Sequence, residues 1–293
     1  MSERTAQQLE AVVESAQDWW STDIVDIHPG YIAMRGYPIE ELIGHVTFPE
    51  MIWLMLRGEL PTRPQARLME AALVSAVDHG PHAPSIAISR MAMTCGVPLN
   101  GAMASAINVL DDVHGGAGQQ CMELYSEIAA RVDGGAALAS ATAEVLGEWR
   151  TQGVRYVPGF GHRWHPLDPR APRLLGLVDD AVAAGDVSGR YAAIGRAVED
   201  AISAGRPARI PMNIDGATAV IYSELGFATE LGRGIFILSR SVGILAHAWE
   251  QHSQGGRIKG PMPKTIPYRY TGPARRAVPD LDLTEPTADK ESR

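Results

Sequence analysis

Residues 232–251 read Gly-Arg-Gly-Ile-Phe-Ile-Leu-Ser-Arg240-Ser-Val-Gly-Ile-Leu-Ala-His247-Ala-Trp-Glu-Gln, a helix-forming stretch that is apolar on nearly every side. A helix of this kind is typical of a protein core. Its apolar run is only about 15 residues long and contains Arg240, so it does not predict a membrane span. We therefore expect a buried helix here.

The same helical periodicity recurs along the chain between Gly and Pro residues. Helices are predicted over residues 4–20, 48–56, 64–77, 100–112, 117–131, 136–150, 172–184, 188–204, 212–225 and 232–251. Residues 151–168 contain too many Gly and Pro residues for a helix. Because evenly spaced short strands and a strand–helix alternation are both absent from the pattern, the predicted fold class is all-α.

Composition narrows the class of protein. The chain has 293 residues, of which 45% are hydrophobic and 20% charged, with a formal net charge of −8. The negative charge argues against a nucleic-acid partner, although basic residues cluster between positions 155 and 173 and allow a positive cleft. Cys95 and Cys121 are interpreted as buried thiols in a reducing compartment. With no secretory signal visible and no membrane partner expected, the predicted location is cytoplasmic.

Three short stretches place ionisable side chains beside glycine, where the backbone can approach a ligand closely or adopt a positive φ. They are Asp112-Val-His114-Gly-Gly, Pro158-Gly-Phe-Gly-His162-Arg163 and Asn213-Ile-Asp215-Gly. Two imidazoles and one carboxylate are sufficient to remove a carbon-bound proton and to stabilise the resulting enolate. The candidates to bind an anionic substrate are His79, Arg170 and Arg240. The pattern therefore predicts carbon–carbon bond chemistry on an acyl thioester.

Each of these residues also has an ordinary structural interpretation. Arg240 keeps its proton when buried and needs an anion, which is either an internal carboxylate or a substrate carboxylate. Asp215 has apolar neighbours that favour a raised pKa and a role as base, but it also suits the N-cap of the following helix. His114 and His162 are compatible with plain core or surface positions. The residues alone leave both interpretations open.

Metal and nucleotide sites of the common kinds are not predicted. The histidine pairs with short spacings are His79/His82, His162/His165 and His247/His252. None has the His-Glu-x-x-His arrangement, and the two cysteines lack a Cys-x-x-Cys partner. The loop over 158–162 lacks the strand-before, helix-after context of a Rossmann or P-loop fingerprint, although its amides remain candidates to meet an adenine or a phosphate.

Taken together, these stretches resemble the citrate synthase superfamily over about residues 31–272. The resemblance begins at Met34-Arg-Gly-Tyr-Pro-Ile-Glu-Glu-Leu and a dense apolar run that ends in Gly58-Glu-Leu-Pro. The stretches that follow in family order are Asp78-His79, His114-Gly-Gly-Ala, Pro158-Gly-Phe-Gly-His162-Arg, Asp168-Pro-Arg170, Asn213-Ile-Asp215 and Ser239-Arg240. One of these alone would be weak, whereas the ordered set is specific.

The resemblance implies a citrate-synthase-like fold in which a smaller helical domain closes over the active site. By this resemblance, residues 1–115 and 227–278 form the large helical domain and residues 116–226 the small one. It also implies a homodimer or a higher homo-oligomer, with active sites near the subunit interface. The composition of residues 279–293 predicts a disordered tail.

The resemblance further implies roles for individual residues. Asp215 would be the base at the acetyl-CoA methyl carbon, His114 would stabilise the enol oxygen, and His162 would exchange the proton of the oxo or hydroxyl group. The carboxylates of a 2-oxo dicarboxylate would be bound by His79, Arg170 and Arg240. Lys259 and Arg269 are the candidates to replace an arginine that synthases take from the partner subunit. The residues expected to contact coenzyme A are Val157, Pro158, Gly159, Phe160, Gly161 and Arg163. Coenzyme A enters as a substrate thioester, and no permanently bound cofactor is expected.

Several features resemble citryl-CoA lyase and the lyase module of ATP-citrate lyase more than citrate synthase. They are the short chain, Asp112 in place of the usual Pro, the stretch Asp78-His-Gly-Pro, and the amino-acid sequence of residues 234–247. The leading prediction is cleavage of citryl-CoA to acetyl-CoA and oxaloacetate through an enol intermediate. The alternatives are citrate synthase or a related 2-oxo-acid acyltransferase, a non-catalytic helical protein that binds a CoA ester or an assembly partner, and a metal-dependent hydrolase, which the histidine spacing supports little.

Overall fold

The computed structural model describes residues 3–163, 165–260, 263 and 265–277, and the chain divides after Lys259 into two units. The described residues of the second unit contain neither helix nor strand, and Tyr268 and Tyr270 in it are exposed. The predicted tail, residues 279–293, lies outside the described residues.

The first unit is built almost entirely of helices. The elements are α1 (Glu3–Trp19), β1 (Val25–His28), β2 (Tyr31–Met34), β3 (Tyr37–Pro38), α2 (Ile39–Leu42), α3 (Phe48–Arg57), α4 (Arg63–Ser75), α5 (Pro84–Thr94), α6 (Leu99–Ile107), α7 (Ala117–Asp133), α8 (Leu138–Thr151), α9 (Arg170–Ala184), α10 (Arg190–Ser203), α11 (Ile214–Glu224) and α12 (Leu231–Gln254). This architecture confirms the predicted mostly helical class.

Local sequence signals explain where α3 and α4 begin. Thr47 and Thr62 are their N-caps, and each threonine side chain accepts the N–H of the residue three positions later. That residue, Glu50 or Gln65, accepts the N–H of its threonine in return, which completes a capping box. Gly58 ends α3 in the left-handed region, a position that favours glycine.

A small antiparallel sheet precedes these helices and is absent from the helix-and-loop pattern expected from the sequence. Its order is β1-β2-β3, with His28 opposite Tyr31 and Ala33 opposite Pro38. Its strands have four, four and two residues, so they are too short to give a clear alternation of polar and apolar side chains.

Two apolar clusters form the interior of the first unit. The larger is centred on α7, α9, α10 and α11, and the smaller joins residues of α5, α6 and α12. Helix α12 packs against α4, α5, α6 and α7, so it touches both clusters. The predicted division into domains at residues 115/116 and 226/227 stays a prediction.

The expectation that the 232–251 helix is buried is correct on one side only. Ile235, Arg240 and Ile244 are buried. On the opposite side, Leu238 and Val242 are exposed, because the neighbouring helices of this single chain cover one face of α12. None of the helices in the described part of the chain has the length and apolar character of a membrane span.

Candidate active site

His114 lies in a tight turn between α6 and α7. The Asp111 N–H donates to the His114 carbonyl oxygen at 2.8 Å, and Gly115 follows with a φ of +98°. A Cβ at Gly115 would lie 3.1 Å from side-chain atoms of Leu110 and Phe236, so glycine satisfies both the turn and the packing. The predicted helix over 100–112 therefore ends early, at Ile107.

The tautomer of His114 follows from its neighbours at the start of α5. The Ser85 backbone N–H donates to Nε2 of His114 at 3.2 Å, and the Ser85 hydroxyl lies 3.0 Å from the same atom. Because a backbone N–H only donates, Nε2 is an acceptor and the neutral ring carries its proton on Nδ1. Burial, together with the positive charge of Arg240, lowers the pKa of His114 and favours this neutral form. The ring is thus a neutral hydrogen-bond donor through Nδ1.

Asp215 stands in the first turn of α11, but it is not the helix cap. The side chain of Asn213 caps α11 by accepting the N–H groups of Asp215 at 2.9 Å and Gly216 at 3.4 Å. The Asp215 carboxylate accepts no hydrogen bond from any residue that the structure describes. Burial raises the pKa of its carboxyl, an effect that the charges of Arg170 and Arg240 only partly offset. A carboxylate of this kind is suited to act as a general base.

The loop over residues 158–161 is fixed directly against the segment that leads into α11. The Gly161 N–H donates to the Pro211 carbonyl at 2.8 Å, and the Asn213 side-chain amide donates to the Gly161 carbonyl at 2.7 Å. The Asn213 N–H donates to the Gly159 carbonyl at 2.9 Å. These contacts place the loop beside Asp215.

Two glycines make this approach possible. Gly159 has a φ of +84°, and a Cβ there would lie 2.6 Å from the Cys121 sulfur and 2.9 Å from the Gly216 Cα. A Cβ on Gly216 would lie 2.5 Å from the Gly159 carbonyl oxygen. Side chains at either position would push the loop and α11 apart.

Arg170 and α11 are held by one buried carboxylate, Asp168, which is 1% exposed. The Arg170 Nε and Nη2 groups each donate to Asp168 at 2.9 Å, and the Ile214 N–H donates to the same carboxylate at 3.0 Å. Burial alone would raise the pKa of Asp168, but the hydrogen bonds from Arg170 outweigh it, and the pKa is lowered. Asp168 is thus an ionised anchor between the start of α9 and the start of α11.

Arg240 is buried, and its charge lacks a close carboxylate. Its Nε donates to the Ala76 carbonyl at 3.0 Å, and its guanidinium lies 4.8 Å from the centre of the Phe236 ring. Within the described residues, no carboxylate lies within 4 Å of its nitrogens; the charges of Asp215 and Asp78 act on it from farther away. Of the two sequence interpretations, an internal ion pair is therefore excluded for these residues, and an anionic ligand is favoured.

The remaining two imidazoles lie side by side. The ring centres of His79 and His162 are 5.8 Å apart, and the His165 backbone N–H donates to Nδ1 of His162 at 3.1 Å. Partial burial lowers the pKa of both His79 and His162, and nearby Arg170 lowers both further. Two neutral imidazoles beside two guanidinium groups make a subsite for a carboxylate or a carbonyl oxygen.

The structure thus brings together most of the residues that the sequence predicts. The charge of Arg240 acts on His114, Asp215 and His79, and the charge of Arg170 acts on Asp215 and His79. The rings of His79 and His162 are in edge contact. Of the predicted coenzyme A segment, Gly159 is buried, Val157, Pro158, Phe160 and Gly161 are half-buried, and Arg163 is exposed. Arg269 belongs to the second unit, so its assignment to the site stays a prediction, as does that of Lys259. Among the described residues, no group of three or more potential metal ligands occurs.

Three residues that matter here were not assigned roles from the sequence: Ser85, Asp168 and Asn213. Ser85 follows a Pro at the start of α5, a helix that the pattern of small and apolar residues did not reveal. Asp168 appears in the sequence only as part of Asp-Pro-Arg170. For Asn213, its preference for N-cap positions is a usable signal.

Comparison with known proteins identifies the family of this chain. Residues 16–67 and 62–262 match the family described as "Citrate synthase, C-terminal domain". This chain belongs to the citrate synthase family. Among curated members, the citrate synthase of Haloferax volcanii is 32% identical over 235 residues, which is 78% of this chain and 55% of that protein. The citrate synthase of Acidithiobacillus ferridurans is 30% identical over 240 residues, 78% of this chain and 57% of that protein. The chain therefore spans about half the length of the curated relatives it matches.

Solved structures with a similar fold include one that this chain matches over nearly its whole length. Citryl-CoA lyase from Hydrogenobacter thermophilus aligns over 89% of this chain and 97% of its own, with a TM-score of 0.77 and 32% identity. ATP citrate lyase from Methanothrix soehngenii, solved with citrate and coenzyme A, aligns over 86% of this chain and 42% of its own, with a TM-score of 0.73 and 20% identity. The second likeness supports the fold alone.

Proposed function

We propose that this chain is a carbon–carbon bond enzyme of citryl-CoA lyase type, which cleaves citryl-CoA to acetyl-CoA and oxaloacetate. The observation that carries the proposal is the Asp215 carboxylate, which has a raised pKa and no hydrogen bond from the described residues, in the electrostatic field of Arg240 and Arg170. His114 adds a neutral donor whose proton is directed by the Ser85 N–H.

The chemistry is easiest to follow in the synthetic direction. Asp215 takes a proton from the methyl carbon of acetyl-CoA, and the electron pair moves to the thioester oxygen, which accepts a hydrogen bond from Nδ1 of His114. The enol carbon then attacks the oxo carbon of oxaloacetate, and the oxo oxygen receives its proton from His162.

Cleavage reverses each step. His162 takes the hydroxyl proton of citryl-CoA, the carbon–carbon bond breaks, and its electron pair forms the enol that His114 stabilises. Asp215 then returns a proton to the carbon, giving acetyl-CoA. A buried carboxyl with a raised pKa holds that proton at a higher pH than an ordinary aspartate.

The substrate contacts follow the same proposal. His79, Arg170 and Arg240 bind the carboxylates of the oxo acid, with Arg269 or Lys259 as further candidates. Residues 157–161 and Arg163 meet coenzyme A, which is a substrate rather than a resident cofactor. We further propose that residues 1–115 and 227–278 form a large domain and residues 116–226 a small one. We also propose that the protein is a homo-oligomer and that its location is cytoplasmic.

A lyase is preferred to a citrate synthase because the citryl-CoA lyase of Hydrogenobacter thermophilus aligns with this chain over nearly the full length of both at 32% identity, whereas the alignments with the two curated synthases cover only 55% and 57% of those proteins. The synthase remains the alternative, since curated relatives carry that name at similar identity. A synthase also hydrolyses the thioester and releases free coenzyme A.

The two functions are separated by incubation with citryl-CoA, and separately with acetyl-CoA and oxaloacetate, with products read by mass spectrometry and free thiol by a colorimetric assay. A lyase converts citryl-CoA to acetyl-CoA and oxaloacetate without steady thiol release. Steady thiol release from acetyl-CoA and oxaloacetate identifies a synthase. CoA-ester binding without turnover of citryl-CoA or of any 2-oxo acid in a panel would identify a non-catalytic binding protein.

A further inference from the structure

His247, on α12 two turns beyond Arg240, bridges two charged groups at the edge of the candidate site. Its Nε2 lies 3.2 Å from Oδ1 of Asp78, and its Nδ1 lies 3.2 Å from Nη1 of Arg90. The side chains of His247 and Arg90 are each 18% exposed and that of Asp78 is 40% exposed, so this contact is partly removed from water. Asp78 and His247 belong to residues 78–81 and 234–247, the two stretches whose amino-acid sequences resemble citryl-CoA lyase. The structure shows that these two stretches are in contact.

The neighbours of His247 determine where its proton lies. A guanidinium has donors and no acceptor, so Nδ1 of His247 accepts from Arg90. The neutral ring then carries its proton on Nε2, facing the Asp78 carboxylate. Arg90, on α5, donates hydrogen bonds to Glu250 and Gln254, which lie on α12 together with His247. Glu250 also lies 3.9 Å from Nδ1 of His247.

Asp78 connects this contact to the substrate-binding residues. Its Oδ2 accepts the Gly80 N–H at 3.0 Å and closes a short turn in which Gly80 has a φ of +81°. His79 is the middle residue of that turn. The Asp78 Oδ1 atom is buried and has no hydrogen-bond partner of good geometry among the described residues, so the His247 ring at 3.2 Å is its electrostatic neighbour. The charge of Asp78 in turn acts on Arg240. Holding Asp78 therefore fixes both the direction of His79 and the field around Arg240.

The same turn is fixed from its other end by α12. The Gly243 N–H donates to the Val77 carbonyl at 3.1 Å, and Gly243 lies so close to Val77 and Asp78 that a side chain there would displace them. Gly243 and His247 are one helical turn apart, so one face of α12 contacts residues 77 and 78 at two points.

We propose that His247 is a positioning residue of the carboxylate-binding subsite, acting through Asp78 on His79 and Arg240. The identity of the ligand rests on the proposed function, whereas the positioning itself does not.

The test compares His247→Leu, His247→Gln and the matched control His252→Leu, which removes an exposed imidazole on the same helix. Oxaloacetate binding to the full chain is measured by calorimetry, and the KM values for oxaloacetate and acetyl-CoA are measured separately in the condensation direction. We expect His247→Leu to weaken oxaloacetate binding about tenfold or more, because the buried Asp78 oxygen then loses the polar group beside it. The KM for acetyl-CoA should change little. Glutamine, which keeps a donor near the position of Nε2, should restore most of the affinity. Equal effects of His247→Leu and His252→Leu would overturn the proposal.

A second measurement needs neither substrate nor activity. In protein with ¹⁵N-labelled histidine, nuclear magnetic resonance reports the tautomer of His247 and the ring signals of His79, assigned with a His79→Gln variant. We expect the Nε2–H tautomer at His247, and His79 signals that shift in His247→Leu but not in His252→Leu. A cationic or Nδ1–H ring at His247, or unshifted His79 signals, would overturn the positioning role. If the wild-type protein neither binds oxaloacetate nor turns over citryl-CoA, the proposed function fails while these spectra still decide the role of His247.

Discussion

The backbone N–H of Ser85 donates to Nε2 of His114 at 3.2 Å, although the two residues are 29 positions apart. The donor belongs to the first turn of α5, where backbone N–H groups have no partner within the helix. The positive end of the helix dipole also opposes a positive charge on the ring. Burial and the charge of Arg240 lower the pKa of His114, and the Ser85 backbone N–H, which a side-chain substitution at Ser85 does not remove, fixes its tautomer.

This relationship predicts different results for two substitutions. In the proposed mechanism His114 is the donor to the enol oxygen, so we expect His114→Ala to lower kcat for citryl-CoA cleavage about 10²–10³-fold. Ser85→Ala keeps the backbone N–H, so we expect a loss of less than about tenfold. Steady-state kinetics measures both. A loss at Ser85→Ala as large as that at His114→Ala would show that the hydroxyl, rather than the backbone, fixes the ring.

Asp215→Asn should separate activity from stability. Because Asp215 is the proposed base, we expect turnover to fall about 10²–10⁴-fold. The folded state of the wild-type protein holds this carboxyl at a raised pKa, so wild-type stability falls as pH rises from the pKa of the unfolded chain to that of the folded one. Asparagine should therefore raise the free energy of unfolding at pH 7, with a gain that shrinks in acid. Urea unfolding of both proteins at pH 7 and in acid measures this gain. A variant that is less stable than the wild type at pH 7 would contradict the raised pKa of Asp215.

Gly159→Ala and Gly153→Ala form a matched pair. Both glycines have positive φ, +84° and +94°, but a Cβ on Gly153 meets no atom within 4 Å, whereas one on Gly159 meets Cys121 and Gly216 below 3 Å. We expect Gly153→Ala to cost about 1–2 kcal/mol of stability from backbone strain alone. Gly159→Ala should cost a further 1–3 kcal/mol or so from overpacking and should reduce activity by displacing Asp215. Urea unfolding and kinetics on both variants check this. Equal costs would show that the loop and α11 can separate freely.

Asp168→Asn tests the buried anchor. Leaving Arg170 without its carboxylate should cost about 3–5 kcal/mol of stability. Asp179→Asn breaks an exposed pair with Arg196 and should cost about 0–1 kcal/mol. The pKa of Asp168 is lowered, so its contribution is present above the pKa of the unfolded chain and is lost as pH falls through the folded value. Acid titration of stability should therefore flatten in Asp168→Asn, and similar costs for the two variants would contradict the anchor role.

Much of the helical pattern could be predicted from the sequence. The prediction over 117–131 corresponds to α7, that over 188–204 to α10, and that over 212–225 to α11, with ends that differ by a few residues. These helices have an apolar stripe against a core, which periodicity detects. Helix α5 was missed because its mixture of small and apolar residues shows no stripe, and the sheet at β1–β3 because its strands are very short.

The candidate residues were found because glycine and ionisable groups stand side by side in the sequence. What the sequence did not show is which groups hold them. The Asp168 carboxylate contacts Ile214, 46 residues later in the chain, and Asp78 contacts His247, which is even farther away in the sequence. Such contacts depend on tertiary packing, to which local periodicity is insensitive. The cap interpretation of Asp215 was removed only by the structure, in which Asn213 caps α11, and the role of Asp215 as base stays a proposal.

Helix α12 holds Arg233, Arg240, His247 and Gln254 at intervals of seven residues. Arg233 binds the acidic pair Asp111 and Asp112 before His114, Arg240 lies in the site, His247 contacts Asp78, and Gln254 contacts Arg90. Seven residues are close to two helical turns, so these four side chains form a column along one side of α12. Insertion or deletion of a single residue between 233 and 247 would rotate one half of this column against the other by about 100°. Changes in length are therefore tolerated only beyond its ends, and the spacing of the column sets the distance between the segments that it holds.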